Sequence, residues 1–363
     1  MLTKINVGPI HPSTHGVLRL VVTLDGDTIV DVEPHIGFLH RGVEKLAENR
    51  MYMQSESYME KIDYVAPMAY SDLYVAAVEE AMGIHPNERA KYVRLILLEF
   101  QRIASHLLWL GTFCNDLGLM FTMFTWTLKD RDLILNLLQD VTGSRMFYVN
   151  MRLGGVSIDL PPNFEEHANK LLDYLEKRFK EYEIFLEKNP VFIERTKGVG
   201  VLKKEDAIAL GVTGPVLRAS GVNFDVRRDY AYYVYEKLHF IPQIQTKGDS
   251  FARYKVRMQE MKESIKLIRS ALKLMPEGDA LGMPIKLISP PVKEKEVIVR
   301  RELPRGEGMI FMVTDKQRPY RLSLRTPAFI NLSALKYIAK GASYADLFSI
   351  LGSLDLVMAD VDK

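Results

Sequence analysis

The apolar positions of residues 5–32 follow the pattern of β-strands. The run VLRLVVTL is rich in β-branched residues, and the run LDGDTIV places Asp25 and Gly26 between two such segments. An Asp-Gly pair in this setting is a strong signal for a β-hairpin. The segment HPSTHG, residues 11–16, comes just before the second strand. We therefore predict that it forms a tight turn between strands.

Apolar residues recur at helical spacing from Val43 onward. The clearest helix begins after Pro86, and its apolar face, in i, i+3, i+4, i+7 steps, comprises Val93, Ile96, Leu97, Phe100, Ala104, Leu107, Leu108 and Gly111. The polar side chains on its other side are Glu99, Arg102 and His106. Further helices are predicted over residues 129–141, 163–186 and 249–273. In the last of these we expect three charged side chains to face solvent, those of Glu260, Lys262 and Glu263.

The C-terminal third returns to strand patterning. Residues 197–215 predict a glycine-rich loop and then a short helix that Gly211 ends. The proline-rich residues 276–291 predict an open connection, after which KEVIVRRELPRGEGMIFMVTD and PYRLSLRTPAF have the composition of strands. The paired glycines of RGEG, residues 305–308, favour a β-bulge or a turn.

These elements together predict an α+β chain in three parts. An N-terminal antiparallel β subdomain is expected over residues 1–40, a central helical bundle over residues 41–275, and a small C-terminal α/β portion over residues 276–363. Because each apolar face has to be buried against another element, we expect the C-terminal portion to close over the bundle.

Composition excludes several classes of protein. The 363 residues include 48 Lys and Arg against 46 Asp and Glu, and a formal net charge of +2 gives no sign of the basic surface of a nucleic-acid binder. The single cysteine, Cys114, cannot form an internal disulfide or a thiolate cage for zinc or iron–sulfur. The N-terminal residues MLTKINVGPI lack the pattern of a signal peptide, so we expect a reduced, cytoplasmic setting.

Residues 103–128 form a long apolar stretch, which raises the alternative of a transmembrane helix of roughly 20 residues. Asp116 interrupts this stretch, and an ionised carboxylate at bilayer depth is costly. We therefore favour a buried helix followed by a buried loop. Asp116 then needs a partner, because an unpaired buried charge costs on the order of several kcal/mol, and a histidine is a good candidate.

The first 40 residues hold four of the eight histidines, namely His11, His15, His35 and His40. One interpretation is that histidines at turns satisfy backbone groups. A metal site is the alternative, since His11 and His15 have HxxxH spacing, but Pro12 and the flanking strands disfavour a helix there.

Two further motifs are open to a chemical interpretation. Tyr64 is predicted on a helix with Asp63 and Lys61. One interpretation is that Tyr64 is a core residue. The alternative is that it faces a histidine across an apolar cleft and donates a proton to a carbonyl. The GVG segment, residues 198–200, does not indicate a nucleotide site, because the full GxGxxG spacing and a βαβ unit are missing.

Several motifs in order connect the chain to a known family. They are GPIHPSTHGVLRLVV, PHIGFLHRGVEKLAENR, RIASHLLWLGTFCNDLG, MRLGGV, LRASGVNFDVR, PRGEG and the C-terminal DLVMADVDK. Over essentially its whole length the chain resembles the large quinone-site subunit of respiratory complex I, the D or 49-kDa type. The resemblance implies a subunit of a proton-translocating NADH:quinone oxidoreductase, peripheral on the cytoplasmic side of the cell membrane and active only in the assembled complex.

The resemblance also implies partners and cofactors. The chain is expected to bind no cofactor of its own and to pack on a small iron–sulfur subunit. The terminal [4Fe–4S] cluster of that partner would pass electrons to a quinone held in a cleft between the two proteins. Other peripheral-arm subunits, among them the one that uses NAD, and a membrane arm complete the implied complex.

Site residues follow from the resemblance by motif. His15 and Tyr64 would contact the quinone oxygens, Asp116 would pair with His15, and His11 would shape the turn and the cavity mouth. Residues near the partner's cluster would be Lys61, Phe147 and Arg145. Family members commonly have arginine at the position of Lys61 and histidine at that of Phe147. The Met- and Phe-rich residues 117–128 are interpreted as core, with a quinone-lining role for part of them as the alternative.

Two rival functions are weighed against this one. The same fold is expected for the large subunit of [NiFe] hydrogenases, which binds its metals through two CxxC pairs. Here the N-terminal motif has no cysteine, and Val357 and Asp360 stand in the C-terminal one. The nickel site and hydrogenase activity are therefore expected to be lost. The other rival is a scaffold that only holds the iron–sulfur subunit against the membrane arm.

Overall fold

The computed structural model describes residues 1–10, 16–119, 122–283 and 292–363. Within these ranges the α+β prediction is confirmed: an antiparallel sheet lies at the N-terminus, helices form the centre, and a second antiparallel sheet follows toward the C-terminus. The short hairpin of β4 (Met151–Arg152) and β5 (Gly155–Val156), numbered in chain order, lies between central helices.

The N-terminal sheet contains β1 (Leu2–Val7), β2 (Arg19–Asp25) and β3 (Thr28–His35) in that order. β2 and β3 pair antiparallel with Asp25 opposite Thr28, which confirms the predicted hairpin at Asp25-Gly26. Gly26 has a φ of 60°, the left-handed conformation that such a turn requires. The turn predicted over residues 11–16 lies, apart from Gly16, outside the described residues.

The centre of the chain contains two short helices and four long ones. They are α1 (Val43–Glu48), α2 (Glu56–Met59), α3 (Pro67–Met82), α4 (Glu88–Asp116), α5 (Thr122–Thr142) and α6 (Phe164–Glu187). α4 begins where the Asn87 side chain accepts a hydrogen bond from the backbone N–H of Ala90 at 2.8 Å. The helices predicted after Pro86 and over residues 163–186 are thus confirmed.

α5 begins earlier than the sequence pattern predicted. A buried loop was expected up to residue 128, but the helix starts at Thr122. Met123 and Thr127, one helical turn apart, are fully buried, while Phe124 is partly exposed. This is the burial pattern of a helix. The sequence does not reveal it, because apolar residues occur on both the buried and the exposed face of this segment. Among the described residues, no helix is long and apolar enough to cross a membrane.

A run of short helices leads to the last long one. It comprises α7 (Pro190–Glu194), α8 (Lys204–Ala209), α9 (Gly214–Ala219), α10 (Val226–Asp229) and α11 (Ser250–Leu274). Gly211 has a φ of 66° just after α8, as expected for the residue that ends a helix. α11 begins where the Asp249 carboxylate accepts from the backbone N–H of Ala252 at 2.7 Å, close to its predicted start.

The prediction that Glu260 and Glu263 of α11 face solvent is wrong. Glu260 is 2% and Glu263 6% exposed, and only Lys262 of the three reaches solvent in part. Glu260 is buried because Arg218 and His106 both bond to its carboxylate, at 2.7 Å and 2.9 Å. The polar side of α4, from which His106 projects, is therefore also inside the protein.

The second sheet consists of β6 (Glu296–Leu303), β7 (Gly306–Asp315) and β8 (Arg318–Arg325) in sequence order. Leu303 pairs with Gly306, so Pro304 and Arg305 form the turn between β6 and β7. The turn lies earlier than predicted, because only Arg305 of RGEG belongs to it and both glycines lie in β7. Four short helices complete the chain, α12 (Pro327–Leu332), α13 (Leu335–Ala339), α14 (Asp346–Ser353) and α15 (Met358–Val361).

Two large hydrophobic clusters hold the elements together. One joins α3, α4, α5, α6 and α11 to the second sheet. The other joins the N-terminal sheet to residues 202–217 and to the C-terminal helices from residue 328 on. The N-terminal sheet therefore packs on the C-terminal end of the chain, and the division at residues 40 and 275 stays a prediction.

Gly214 tests how tightly α9 packs on the turn before β7. Its φ is +65°, and a Cβ there would lie 2.3 Å from the Cα of Gly306. We expect Gly214→Ala to cost about 2–5 kcal/mol of stability, from strain and overpacking together. Gly26→Ala is the matched control, because Gly26 has a φ of +60° with no atom within 4 Å, and strain alone costs about 1–2 kcal/mol.

Thermal unfolding followed by circular dichroism compares the two alanine variants. The packing account holds if Gly214→Ala lowers the midpoint clearly more than Gly26→Ala does. Equal midpoints would show that the contact between α9 and the β6–β7 turn can accommodate a methyl group without overpacking.

Candidate functional site

A cleft of about 250 Å³ is lined by five parts of the chain. The turn before α3 contributes Tyr64, α4 contributes Trp109 and Thr112, α5 contributes Phe124, the turn between β6 and β7 contributes Arg305, and the segment after α14 contributes Leu356 and Val357. The walls are mainly apolar, and the polar groups converge at one end. This is the usual character of a small-molecule site, and the volume lies just below the usual range of roughly 300–1,000 Å³.

Tyr64 lies in a turn and not on a helix, which corrects the prediction. The carboxylate of Asp63 accepts the backbone N–H groups of Val65 and Ala66 at 3.0 Å and 3.3 Å, and Pro67 then begins α3. An aspartate that bonds to backbone groups two and three residues ahead favours a turn over a continuing helix. The ring of Tyr64 is half-exposed and lines the cleft.

The hydroxyl group of Tyr64 keeps its proton at neutral pH. Partial burial and the adjacent carboxylate of Asp63 both raise its pKa, and Arg305 opposes them only in part. A phenol in this state can donate a hydrogen bond to an oxygen in the cleft, and it can lose its proton only to a strong base or a reacting group.

Arg305 lines the polar end of the cleft and forms its end wall together with buried acids. Its guanidinium group donates a hydrogen bond to the buried carboxylate of Asp63 and lies 3.4 Å from that of Asp355. Arg257 lies 3.6 Å from the other oxygen of Asp355 and stacks over the Trp109 ring at 4.3 Å from its centroid. The end wall is thus a buried row of alternating charges.

Asp116 stands at the C-terminal end of α4, one helical turn beyond Thr112 of the cleft wall. It is partly buried against α14, where a Cβ at position 352 would lie 2.4 Å from its Oδ2 atom. Gly352 therefore leaves the space that this carboxylate occupies. The partner expected for Asp116, His15, and the neighbouring His11 lie outside the described residues, so the pair of His15 and Asp116 stays a prediction.

Lys61 and Phe147 come together, but Arg145 does not join them. The Nζ atom of Lys61 lies 5.3 Å from the centroid of the Phe147 ring. Arg145 is exposed and bonds to the side chains of α5, among them Asn136 and Asp132. The structure thus forms a Lys61–Phe147 pair near the turn of Tyr64, while Arg145 packs along the helix before it.

Of the other two N-terminal histidines, His40 contacts the C-terminal segment. Its Nδ1 atom lies 2.9 Å from the carbonyl oxygen of Asp362, whereas the Nε2 atom of His35 lies 3.7 Å from the Glu33 carboxylate, beyond hydrogen-bond distance. Among the residues that the structure describes, no group of three or more His, Cys, Asp or Glu could hold a metal ion.

Sequence reasoning missed the buried acids behind the cleft. Asp63, Asp355 and Asp360 are each at most 5% exposed, and Arg305 at 2% lies among them. A usable signal was present: Arg305 follows a proline in a two-residue turn, and the two C-terminal acids lie in the otherwise apolar run LDLVMADV. Charges in such positions are either exposed or paired with other charges, and only the fold brings the partners from residues 63 and 305 together.

The comparison with protein families agrees with this architecture. The model for "Respiratory-chain NADH dehydrogenase, 49 Kd subunit" matches residues 116–295 and 285–363. This family defines a class of complex I subunits, and the chain belongs to it. The chain is therefore a subunit of an oxidoreductase and part of a membrane-associated complex.

Individual relatives cover almost the whole chain. The D subunit of the NADH-quinone oxidoreductase of Dehalococcoides mccartyi is 47% identical over 361 residues, 99% of this chain and 98% of the relative. The corresponding D subunit of Geotalea uraniireducens is 42% identical and covers 100% of this chain. The H subunit of the chloroplastic NAD(P)H-quinone oxidoreductase of Marchantia polymorpha is also 42% identical, over 99% of this chain and 97% of its own length.

Arg305 is expected to be indispensable for the end wall of the cleft. Arg305→Met removes the cation that faces Asp63 and Asp355, and breaking a buried pair in this way costs about 3–5 kcal/mol. Arg321→Met is the matched control, because Arg321 is about half exposed where it pairs with Glu44 and Glu48, and such pairs contribute about 0–1 kcal/mol.

The yield and the thermal stability of the assembled complex compare these two variants. We expect a strong loss with Arg305→Met and a small one with Arg321→Met. Similar stability of both variants would contradict the paired end wall.

Proposed function

We propose that this chain forms the quinone-binding site of its complex, next to the terminal iron–sulfur cluster of a partner subunit. The observation that carries the proposal is the apolar cleft with Tyr64 at its polar end, backed by the buried Asp63 and Arg305. An apolar cleft suits the flat ring of a quinone, and a phenol hydroxyl suits one of its carbonyl oxygens. The names of the relatives point to the same substrate.

The chemistry requires two proton donors. A quinone that accepts two electrons takes up two protons, one on each carbonyl oxygen. Tyr64 can donate one of them, since its hydroxyl is protonated and its side chain lines the cleft. His15, held by Asp116, is the proposed second donor, because a carboxylate beside an imidazole fixes its tautomer and favours its charged form.

The proposed partners follow from the family resemblance, and the exposed surface around the site supports them. Met146 is 61% exposed beside the Lys61–Phe147 pair, and Ile36 and Phe38 are 41% and 53% exposed near the C-terminal segment. Apolar side chains exposed together suit a protein interface. We assign the face of Lys61 and Phe147 to the small iron–sulfur subunit with its [4Fe–4S] cluster.

The wider assembly completes the proposal. The complex would include further peripheral-arm subunits, one of which uses NAD, and a proton-translocating membrane arm. The chain itself would lie on the cytoplasmic side of the cell membrane. The rival function, a scaffold without a role in the reaction, makes a different prediction for the site variants.

Site variants in the assembled complex test this function. We expect His15→Ala, Tyr64→Phe and Asp116→Asn to lower quinone reduction by on the order of a hundredfold, the usual share of a general acid. Reduction of an artificial acceptor that takes electrons upstream of the quinone checks assembly. Tyr320→Phe is the matched control, since this tyrosine is 74% exposed and does not line the cleft.

The outcomes separate the two functions. Loss of quinone reduction with retained artificial-acceptor activity supports the proposal. If all three site variants reduce quinone as the Tyr320→Phe control does, the scaffold function is favoured.

Phe147 leads to a second prediction. Because Phe147 stands where family members commonly have a titratable histidine, we expect the potential of the partner's terminal cluster to depend little on pH. Phe147→His should restore a dependence through the histidine range, near pH 6.5 for an ordinary imidazole. Redox titration of the cluster at several pH values measures the pH dependence of its potential. A steep dependence already in the unmodified protein would contradict the prediction.

A further inference from the structure

Two segments that line the cleft are joined by arginines at two places. The turn before α3 presents Tyr64 to the cleft, and the segment after α14 presents Val357. Arg305 joins these segments inside the protein, because it pairs with one acid from each. A second arginine, Arg41, joins the same two segments nearer the surface.

Arg41 lies between β3 and α1. Its Nη1 atom donates a hydrogen bond to the carbonyl oxygen of Lys61 at 2.8 Å, and its Nη2 atom donates to that of Ala359 at 2.6 Å. Lys61 stands three residues before Tyr64, and Ala359 stands two residues after Val357. One guanidinium group therefore bridges the backbones of the two segments. We call these two hydrogen bonds the Arg41 bridge.

The segment that carries Arg41 is itself fixed to the C-terminal segment. The Asp362 carboxylate accepts the backbone N–H groups of Gly37 and Leu39, both at 2.8 Å. The Nδ1 atom of His40 lies 2.9 Å from the carbonyl oxygen of Asp362. Because its backbone is held in this way, Arg41 loses less conformational freedom when it bonds to the two carbonyl groups.

A small hydrophobic cluster connects the same two segments. It contains the buried Val65, Val357 and Ala359, and Leu39 and Leu108 pack against it. It is separate from the two large clusters that hold the fold together. Since two valines and one alanine bury little apolar surface, the hydrogen bonds of the Arg41 bridge matter more here than they would beside a large core.

The two acceptors suit an arginine in particular. A guanidinium group presents its N–H donors in a rigid planar fork, whereas an ammonium group is a compact charge on a flexible stem. Arg41→Lys therefore keeps the positive charge and weakens the bridge. The side chain of Arg41 is exposed, so its replacement leaves no buried acid unpaired, and we expect the variant to assemble.

We propose that Arg41 is a positioning residue of the quinone site. By bridging Lys61 and Ala359, it sets the separation of Tyr64 and Val357, and thereby the size of the quinone ring that the cleft accepts. This inference rests on the proposed function of the cleft. Arg41 is not among the residues that line the cleft, so it acts through the backbones of the two segments.

A small cleft makes the ring size sensitive to the bridge. The cleft has a volume of about 250 Å³, so a slight separation of its walls changes which ring fits best. A single methylene group changes the selectivity of an apolar pocket by about 10–200-fold. Misplacement of a substrate by about 1 Å can cost on the order of a hundredfold in rate. A weaker bridge should therefore slow the reaction and favour a larger ring.

The experiment measures kcat and KM of the assembled complex for a benzoquinone and a naphthoquinone with the same short side chain. Arg41→Lys should lower kcat/KM for the benzoquinone by on the order of tenfold. It should also raise the ratio of the naphthoquinone kcat/KM to the benzoquinone kcat/KM several-fold. The two quinones differ in potential in the same way for every variant, and a complex that is merely less stable would lose both activities alike.

Arg195→Lys is the matched control. Arg195 also donates from its guanidinium group to a backbone carbonyl of another segment, that of Ala345 at 2.6 Å, but neither residue lines the cleft. We expect this control to keep the rates and the ratio of the unmodified complex. An Arg41→Lys complex with the same rates and ratio as the Arg195→Lys control would overturn the proposal.

Asp362→Asn weakens the bridge without changing Arg41. An asparagine side chain can accept only one of the two backbone N–H groups and turns its own N–H₂ group toward the other. The segment that carries Arg41 should then be held less firmly. The ratio should change in the same direction as in Arg41→Lys, and a change in the opposite direction would contradict the proposal.

Hydrogen–deuterium exchange of the assembled complex measures the bridge without quinone. Arg41→Lys should speed the exchange of backbone amides in residues 62–66 and 356–361 together, because the bridge holds both segments. Arg195→Lys should leave both unchanged. Unchanged exchange of both segments in Arg41→Lys would overturn the proposal, even if turnover is altered.

Tyr64→Phe, measured beside these variants, separates the two levels of the account. If Tyr64→Phe reduces both quinones normally, the proposed function of the cleft fails. If Tyr64→Phe is slow but Arg41→Lys keeps the ratio and the exchange rates of the unmodified complex, only the role of Arg41 is overturned.

Discussion

Arg305 lies in a two-residue turn and is fully enclosed, so its positive charge has to be neutralised by groups that other parts of the chain supply. Asp63 comes from the turn before α3, and Asp355 from the segment after α14. In the chain, Asp63 lies 242 residues before Arg305, and Asp355 lies 50 residues after it. An unpaired guanidinium group at this depth costs more than most single contacts contribute, so the three segments have to meet for the chain to fold.

This meeting of segments also makes the cleft. The turn that Asp63 stabilises presents Tyr64, the chain beyond Asp355 presents Leu356 and Val357, and α4 and α5 form the remaining wall. Stability and chemistry therefore depend on the same contacts. Such sites are rigid, because the groups that would place a substrate are themselves held by buried charge pairs and packed helices.

The periodic elements were predictable from sequence, whereas the roles of single charged residues were not. The hairpin at Asp25-Gly26 and the long helices follow from local spacing and turn chemistry, which act within a few residues. Glu260 has the local signature of a solvent-facing residue, and only Arg218 and His106, brought in by other elements, explain its burial. The family resemblance predicts Tyr64 as a site residue, but the turn in which it lies depends on the bonds that Asp63 makes to the backbone.

The central claim is that quinone binds in the cleft of Tyr64, and covalent labelling in the assembled complex tests it most directly. A quinone that carries a photoreactive group on its ring is bound and illuminated, and the labelled peptides are identified by mass spectrometry. The account predicts labels on the peptides of Tyr64, Thr112 or Val357, and their loss when unmodified quinone competes. Competed labels confined to other subunits, or to parts of this chain away from the cleft, would contradict it.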